Sequence, residues 1–101
     1  MLYLVGSRFF GTNRDNSDFD FVGEDTIENR SLCEKLGAKR IESPFVRYHG
    51  KGFDICLVNN IEAQLFARRE VKKLDVNSMS KRERHEKVKE FIDAYELGRF
   101  I

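Results

Sequence analysis

A mixed β-sheet with helices packed on it, the α/β (α+β) class, is the fold this sequence predicts, and three observations predict it. Short apolar runs stop at turn residues, as strands do. Longer stretches open on capping residues and carry apolar side chains at three- and four-residue spacing. In chain order these signals read strand, short helix, strand, helix, two or three strands, helix, helix, so the helices must bury one apolar face of a sheet.

Leu2 to Val5 is an apolar run ending at Gly6, a buried strand that feeds a turn. The turn-rich stretch after it leaves room for one or two helical turns from Ser7 or Arg8, and Phe19 to Val22 forms the next strand. Asp25 and Glu28 stand at capping-box spacing, with Ile27, Leu32 and Leu36 apolar and Gly37 as the stop, which predicts a helix. Strands are expected near Lys39 to Ile41, over Phe45 to Tyr48 and over Phe53 to Val58, the last two joined through His49, Gly50, Lys51 and Gly52 as a hairpin. A helix runs from Asn59 or Asn60 to about Leu74, with Ile61, Leu65 and Phe66 on its apolar side. Ser80 and Glu83 form a second capping box before Val88, Phe91, Ile92 and Tyr95 on one face, with Gly98 as the stop.

At 101 residues, without repeats or linkers, the chain has room for one small domain spanning residues 1–101 and no separate substrate-binding domain. With 41 % hydrophobic and 35 % charged residues it has the composition of a folded soluble chain. A formal net charge of +1 gives no global reason for a polyanion or an anionic membrane as partner. Cys33 and Cys56 show no metal-ligand spacing and read as reduced, inert thiols. The apolar start is too short for a signal peptide and no run reaches transmembrane length, so a cytoplasmic protein without a membrane partner is expected.

The chemistry concentrates between Val5 and Val22. Gly6 and Ser7 are followed by ten residues and then by Asp18, Phe19 and Asp20, with apolar residues flanking the acids. On a strand, Asp18 and Asp20 project to one side and Phe19 and Phe21 to the other. Two carboxylates roughly 7 Å apart on one face have the reach to share divalent cations. Asp54, opening the later run FDICLV, is a third acid that a neighbouring strand can bring beside them. A strand that turns through Gly6 into a helix exposes unpaired amides that favour an anion, and the Ser7 hydroxyl adds a donor. Arg8 and Arg14 are candidates for further phosphate contacts.

Gly-Ser, ten residues, Asp-Phe-Asp-Phe and a later Phe-Asp-Ile together resemble the DNA polymerase beta superfamily of nucleotidyltransferases. In size the chain is most similar to the minimal nucleotidyltransferases, which include antitoxins that modify a partner toxin. The resemblance is strongest over residues 3–22, and its order of elements extends to Val58. It implies that Gly6 and Ser7 contact a nucleoside triphosphate, that Asp18 and Asp20 bind two Mg²⁺ or Mn²⁺ ions, and that Asp54 binds the catalytic metal and helps deprotonate the acceptor hydroxyl. The implied reaction is transfer of AMP from ATP to a hydroxyl, on a partner protein or, not excluded, a nucleic acid. Only about forty residues follow Val58, so the helical domain with which many relatives grip their acceptor has no room. The alternative expectation is a non-catalytic regulator that keeps the fold and acts by binding a protein.

Other residues read as structural. His85 sits on the polar side of the last helix, and His49 reads as a hairpin residue despite its nearness to Asp54. Lys81, Arg82, Arg84, Lys87 and Lys89 read as a solvated face, and the nine Phe as core.

Overall fold

The structure is a computed structural model that describes residues 1–98. It is an α+β fold whose elements run β1 (Leu2–Val5), α1 (Gly6–Phe10), β2 (Phe19–Glu24), α2 (Ile27–Lys35), β3 (Lys39–Ile41), β4 (Val46–Gly50), β5 (Phe53–Val58), α3 (Ile61–Lys72), a 3₁₀ turn (Val76–Ser78) and α4 (Lys81–Gly98). Its contacts group into two compact units, Met1–Asn59 and Asn60–Ile101. No helix among the described residues is long and apolar enough to cross a membrane.

In the first unit the strands form one mixed sheet in the order β1-β2-β5-β4-β3. β2 and β5 run parallel and every other pair is antiparallel. Parallel neighbours need a long crossover. Here α2, β3 and β4 supply it, and α2 packs against the sheet: Cys33 is fully buried in a cluster with Ala38, Tyr48, Ile55 and Leu57, joined by the half-buried Leu2, Phe21, Val46 and Phe53.

Most boundaries agree with the sequence signals, and the differences have local causes. The N-cap of α2 is Thr26, whose hydroxyl accepts from the Asn29 amide at 3.1 Å, and not Asp25. The Asp25 carboxylate is taken instead by Arg30, at 2.7 and 2.9 Å. β2 extends two residues beyond Val22 because Gly23 and Glu24 remain in register with Leu57 and Val58. The β4–β5 turn is tighter than expected: His49 and Gly50 belong to β4 and only Lys51 and Gly52 form the turn. Glycine fits at position 50 because a β-carbon there would overlap the ring of Phe53, its cross-strand partner, and force that ring to shift.

The second unit is a pair of helices joined through the 3₁₀ turn. Ala63, Ala67 and Val71 of α3 and Val88 of α4 are buried, and Phe66 meets Tyr95 with ring centroids 5.1 Å apart. The capping box before α4 is formed in both directions: the Ser80 hydroxyl accepts from the Glu83 amide at 3.1 Å and the Ser80 amide donates to Glu83 Oε1 at 3.2 Å. Gly98 is the last described residue of α4, and the stop expected there lies outside the described residues.

Candidate functional site

β1 passes into α1 without a loop, and Gly6 makes that possible. Its φ of 74° is left-handed backbone, which glycine adopts without the clash a side chain suffers. A second constraint is spatial. A β-carbon on Gly6 would stand 2.5 Å from Asp20 Oδ2, so the carboxylate lies directly against this backbone. Ser7 occupies the first turn of α1, and its carbonyl accepts from the amides of Gly11 and Thr12, closing the five-residue helix.

The segment from Gly11 to Asp18 is held by Arg8. Its Nε and Nη2 donate to the Ser17 carbonyl at 3.1 and 2.8 Å, Nη2 also reaches the Asp15 carbonyl at 3.1 Å, and the guanidinium lies 4.1 Å from the Phe19 ring centroid. Arg8 therefore organises the approach to β2. Arg14 is exposed, and its backbone makes a turn with Ser17: the Arg14 amide donates to Ser17 Oγ at 2.9 Å and the Ser17 amide donates back to the Arg14 carbonyl at 3.1 Å.

Asp18 is exposed and stands one residue before β2, which starts where the Phe19 amide donates to the Gly52 carbonyl at 2.9 Å. Asp20 and Asp54 are brought together. They are register partners on the parallel strands β2 and β5, so both project to one face from backbones about 4.8 Å apart. The row continues in both directions. Val5 pairs with Asp20, His49 with Asp54, and Lys39 with His49, so Val5, Asp20, Asp54, His49 and Lys39 cross all five strands on a single face.

Within this row His49 Nδ1 lies 2.6 Å from Asp54 Oδ1. An ionised carboxylate only accepts, so a hydrogen bond to it in this geometry requires the tautomer with the hydrogen on Nδ1. The side chain of Asp54 is 23 % exposed and that of His49 is 56 % exposed, so the pair reaches from the sheet to solvent. The sequence places His49 in the turn, where it would have no fixed relation to Asp54. The usable signal is the length of the connection: a two-residue turn at Lys51 and Gly52 forces Gly50 opposite Phe53 and His49 opposite Asp54.

Two carboxylates side by side repel unless something cationic stands near them. Asp20 and Asp54 offer hard oxygens of the kind Mg²⁺ takes, and Mg²⁺ is commonly held by one or two carboxylates together with water and substrate phosphates. Their pairing fits that mode. Among the described residues no group of three or more His, Cys, Asp or Glu side chains is arranged to hold a metal ion, so the three-acid cluster expected of Asp18, Asp20 and Asp54 is not assembled in this conformation.

The opposite face is apolar. Leu2, Phe19, Phe21, Leu36, Gly52, Phe53 and Ile55 line an open cavity of about 550 Å³ there, with Lys51 as a charged wall. No known family, curated protein or solved structure matches the chain.

Proposed function

We propose that the chain is a metal-dependent nucleotidyltransferase that transfers a nucleoside monophosphate, AMP from ATP, to a hydroxyl acceptor in the cytoplasm. The observation that carries this reading is the register of Asp20 and Asp54 beside the Gly6 turn. It puts two carboxylates on one face, the nearer of them against the backbone that opens α1. The resemblance of the motif over residues 3–22 to the polymerase beta superfamily points the same way.

In this reading Asp20 and Asp54 would hold a Mg²⁺ or Mn²⁺ ion, and the exposed Asp18 would be the candidate for a further ligand. When bound, the cation would supply charge neutralisation at the phosphates. The acceptor oxygen attacks the α-phosphorus, the bond from that phosphorus to the α,β-bridging oxygen breaks, and pyrophosphate leaves with the electron pair. The acceptor proton passes toward the Asp54 carboxylate. Ser7 offers its hydroxyl to the phosphates. Arg8 shapes the segment before β2, and Arg14, exposed on it, is the candidate for a direct phosphate contact.

Incubating the protein with α-labelled ATP, Mn²⁺ and host lysate should label an acceptor, a partner protein or a nucleic acid. Asp20→Asn and Asp54→Asn should each lower labelling by more than the roughly 10- to 100-fold that losing an outer-shell partner of a metal site costs. No labelling together with no nucleotide binding would refute the proposal. A second reading, a non-catalytic module that binds a protein partner, draws on the position of Asp18 outside the Asp20–Asp54 row. For that module the Asp18→Ala, Asp20→Ala double variant keeps its cellular effect; for the enzyme it does not.

A further inference from the structure

We infer that His49 is the positioning residue for Asp54: its Nδ1–H fixes the rotation of the carboxylate and engages Oδ1, leaving Oδ2 as the oxygen Asp54 offers to a cation shared with Asp20. The inference rests on the proposed nucleotidyltransferase reading. It assigns a role to a residue that the sequence pattern leaves out.

Three observations converge on it. His49 and Asp54 are directly opposite in an antiparallel pair, so their contact is imposed by the β4–β5 register and not by a chance rotamer at a loop. The 2.6 Å separation is that of a short, charge-assisted hydrogen bond, the kind that orients a carboxylate most firmly. And Asp54 is itself in register with Asp20, so whatever fixes its rotation also fixes how the two acids face each other. A carboxylate at the start of a strand, partly exposed and without such a partner, would turn about its side-chain bonds and meet a cation in several geometries. Hydrogen-bonding partners of metal-binding carboxylates commonly set affinity and rate without touching the metal.

The backbone that makes the contact possible is also accounted for. The Lys51–Gly52 turn holds the hairpin to two residues, and the packing of Phe53 over Gly50 seats the last pair before the turn. Adding a residue to the turn would break the pairing of His49 with Asp54 while leaving both side chains in the protein.

The test compares wild-type protein with His49→Leu, which removes the donor, and His49→Asn, whose amide can donate from a similar position. Binding of Mn²⁺ in the presence of ATP is followed by electron paramagnetic resonance of the free ion, and AMP transfer is measured in parallel. His49→Leu should weaken Mn²⁺ binding about 10- to 100-fold and lower kcat more than it raises KM for ATP, and His49→Asn should restore most of both. Nitrogen NMR of the wild-type ring should show the hydrogen on Nδ1, and Asp54→Asn should change that signal.

Wild-type protein that binds no Mn²⁺ with ATP overturns the reading of function and this inference with it. Wild-type protein that binds, with His49→Leu matching it in affinity and kcat, overturns the inference alone, as does a ring whose hydrogen resides on Nε2. Should His49→Leu fail to fold, His49→Gln serves in its place: its amide sits one methylene farther out, and equal Mn²⁺ affinity for His49→Gln and His49→Asn overturns the inference.

Discussion

The two faces of the sheet in the first unit differ by a shift of one residue. On one side Val5, Asp20, Asp54, His49 and Lys39 form a row across five strands; on the other, Leu4, Phe21, Ile55, Tyr48 and Arg40 do the same one position along. The first row is mostly ionisable and reaches solvent. The second is mostly apolar and includes Ile55, 1 % exposed, with Tyr48 at 4 %. Even its terminal charge serves packing, since the Arg40 guanidinium lies 5.9 Å from the Tyr48 ring centroid. Because strand side chains alternate, one register fixes both rows, and any slip that spoiled the core would scatter the acids as well. The core and the acidic row are thus specified by the same hydrogen-bond ladder, and substitutions can separate them.

The sharpest separation is at Ile55. Ile55→Ala should destabilise the protein by about 2–5 kcal/mol in urea denaturation, since a fully buried side chain leaves a cavity behind. His49→Leu, in the neighbouring row of the same ladder but half-exposed, should cost less than about 1 kcal/mol. Similar losses at the two positions would mean that the polar row is as much core as the apolar one.

Gly6→Ala tests the join between the faces. The new methyl must enter space held by the Asp20 carboxylate on a backbone of positive φ, so a cost of about 1–3 kcal/mol is expected. Unlike Ile55→Ala, it should also weaken nucleotide binding, because Asp20 has to move. A stability loss with intact binding would separate Gly6 from the site.

The smallest effect concerns Asp25, at the end of β2 beyond both rows. The hydrogen bond from Arg30, helped by its charge, holds the Asp25 carboxyl below its ordinary value against a smaller opposing effect of burial. A folded-state pKa below the unfolded one contributes stability that is present above the unfolded pKa and is lost as pH falls through the folded value. Below pH ~4, wild-type stability should therefore fall more steeply than that of Arg30→Gln. Parallel acid limbs in the two proteins would show that the ion pair contributes nothing to folding.

Much of this is legible in the sequence because it is local. The apolar runs place β1, β2 and β5, the Ser80–Glu83 box opens α4, and the spacing of Gly6, Ser7 and Asp20 marks the turn and the strand that meet. The illegible part depends on counting across strands. His49 reads as a loop residue as long as four residues are allotted to a turn that uses two, and Asp18 is given the alternation of a strand that begins, as its apolar run does, at Phe19. Spacing alone gives the N-cap of α2 to Asp25, but Arg30 competes for that carboxylate and Thr26 caps instead. The role of Arg8 is hidden for another reason: a guanidinium near a phosphate-binding turn and one that clamps a loop through carbonyls look alike until the loop is closed.

The contact between Gly6 and Asp20 also has a hereditary side. At position 6 every other amino acid brings a β-carbon into the oxygen of residue 20, on a backbone that already disfavours a side chain. Position 6 is thus held to glycine twice, by its positive φ and by the acid beside it. A lineage that gave up the carboxylate would open the space beside position 6, yet the left-handed backbone there would go on favouring glycine.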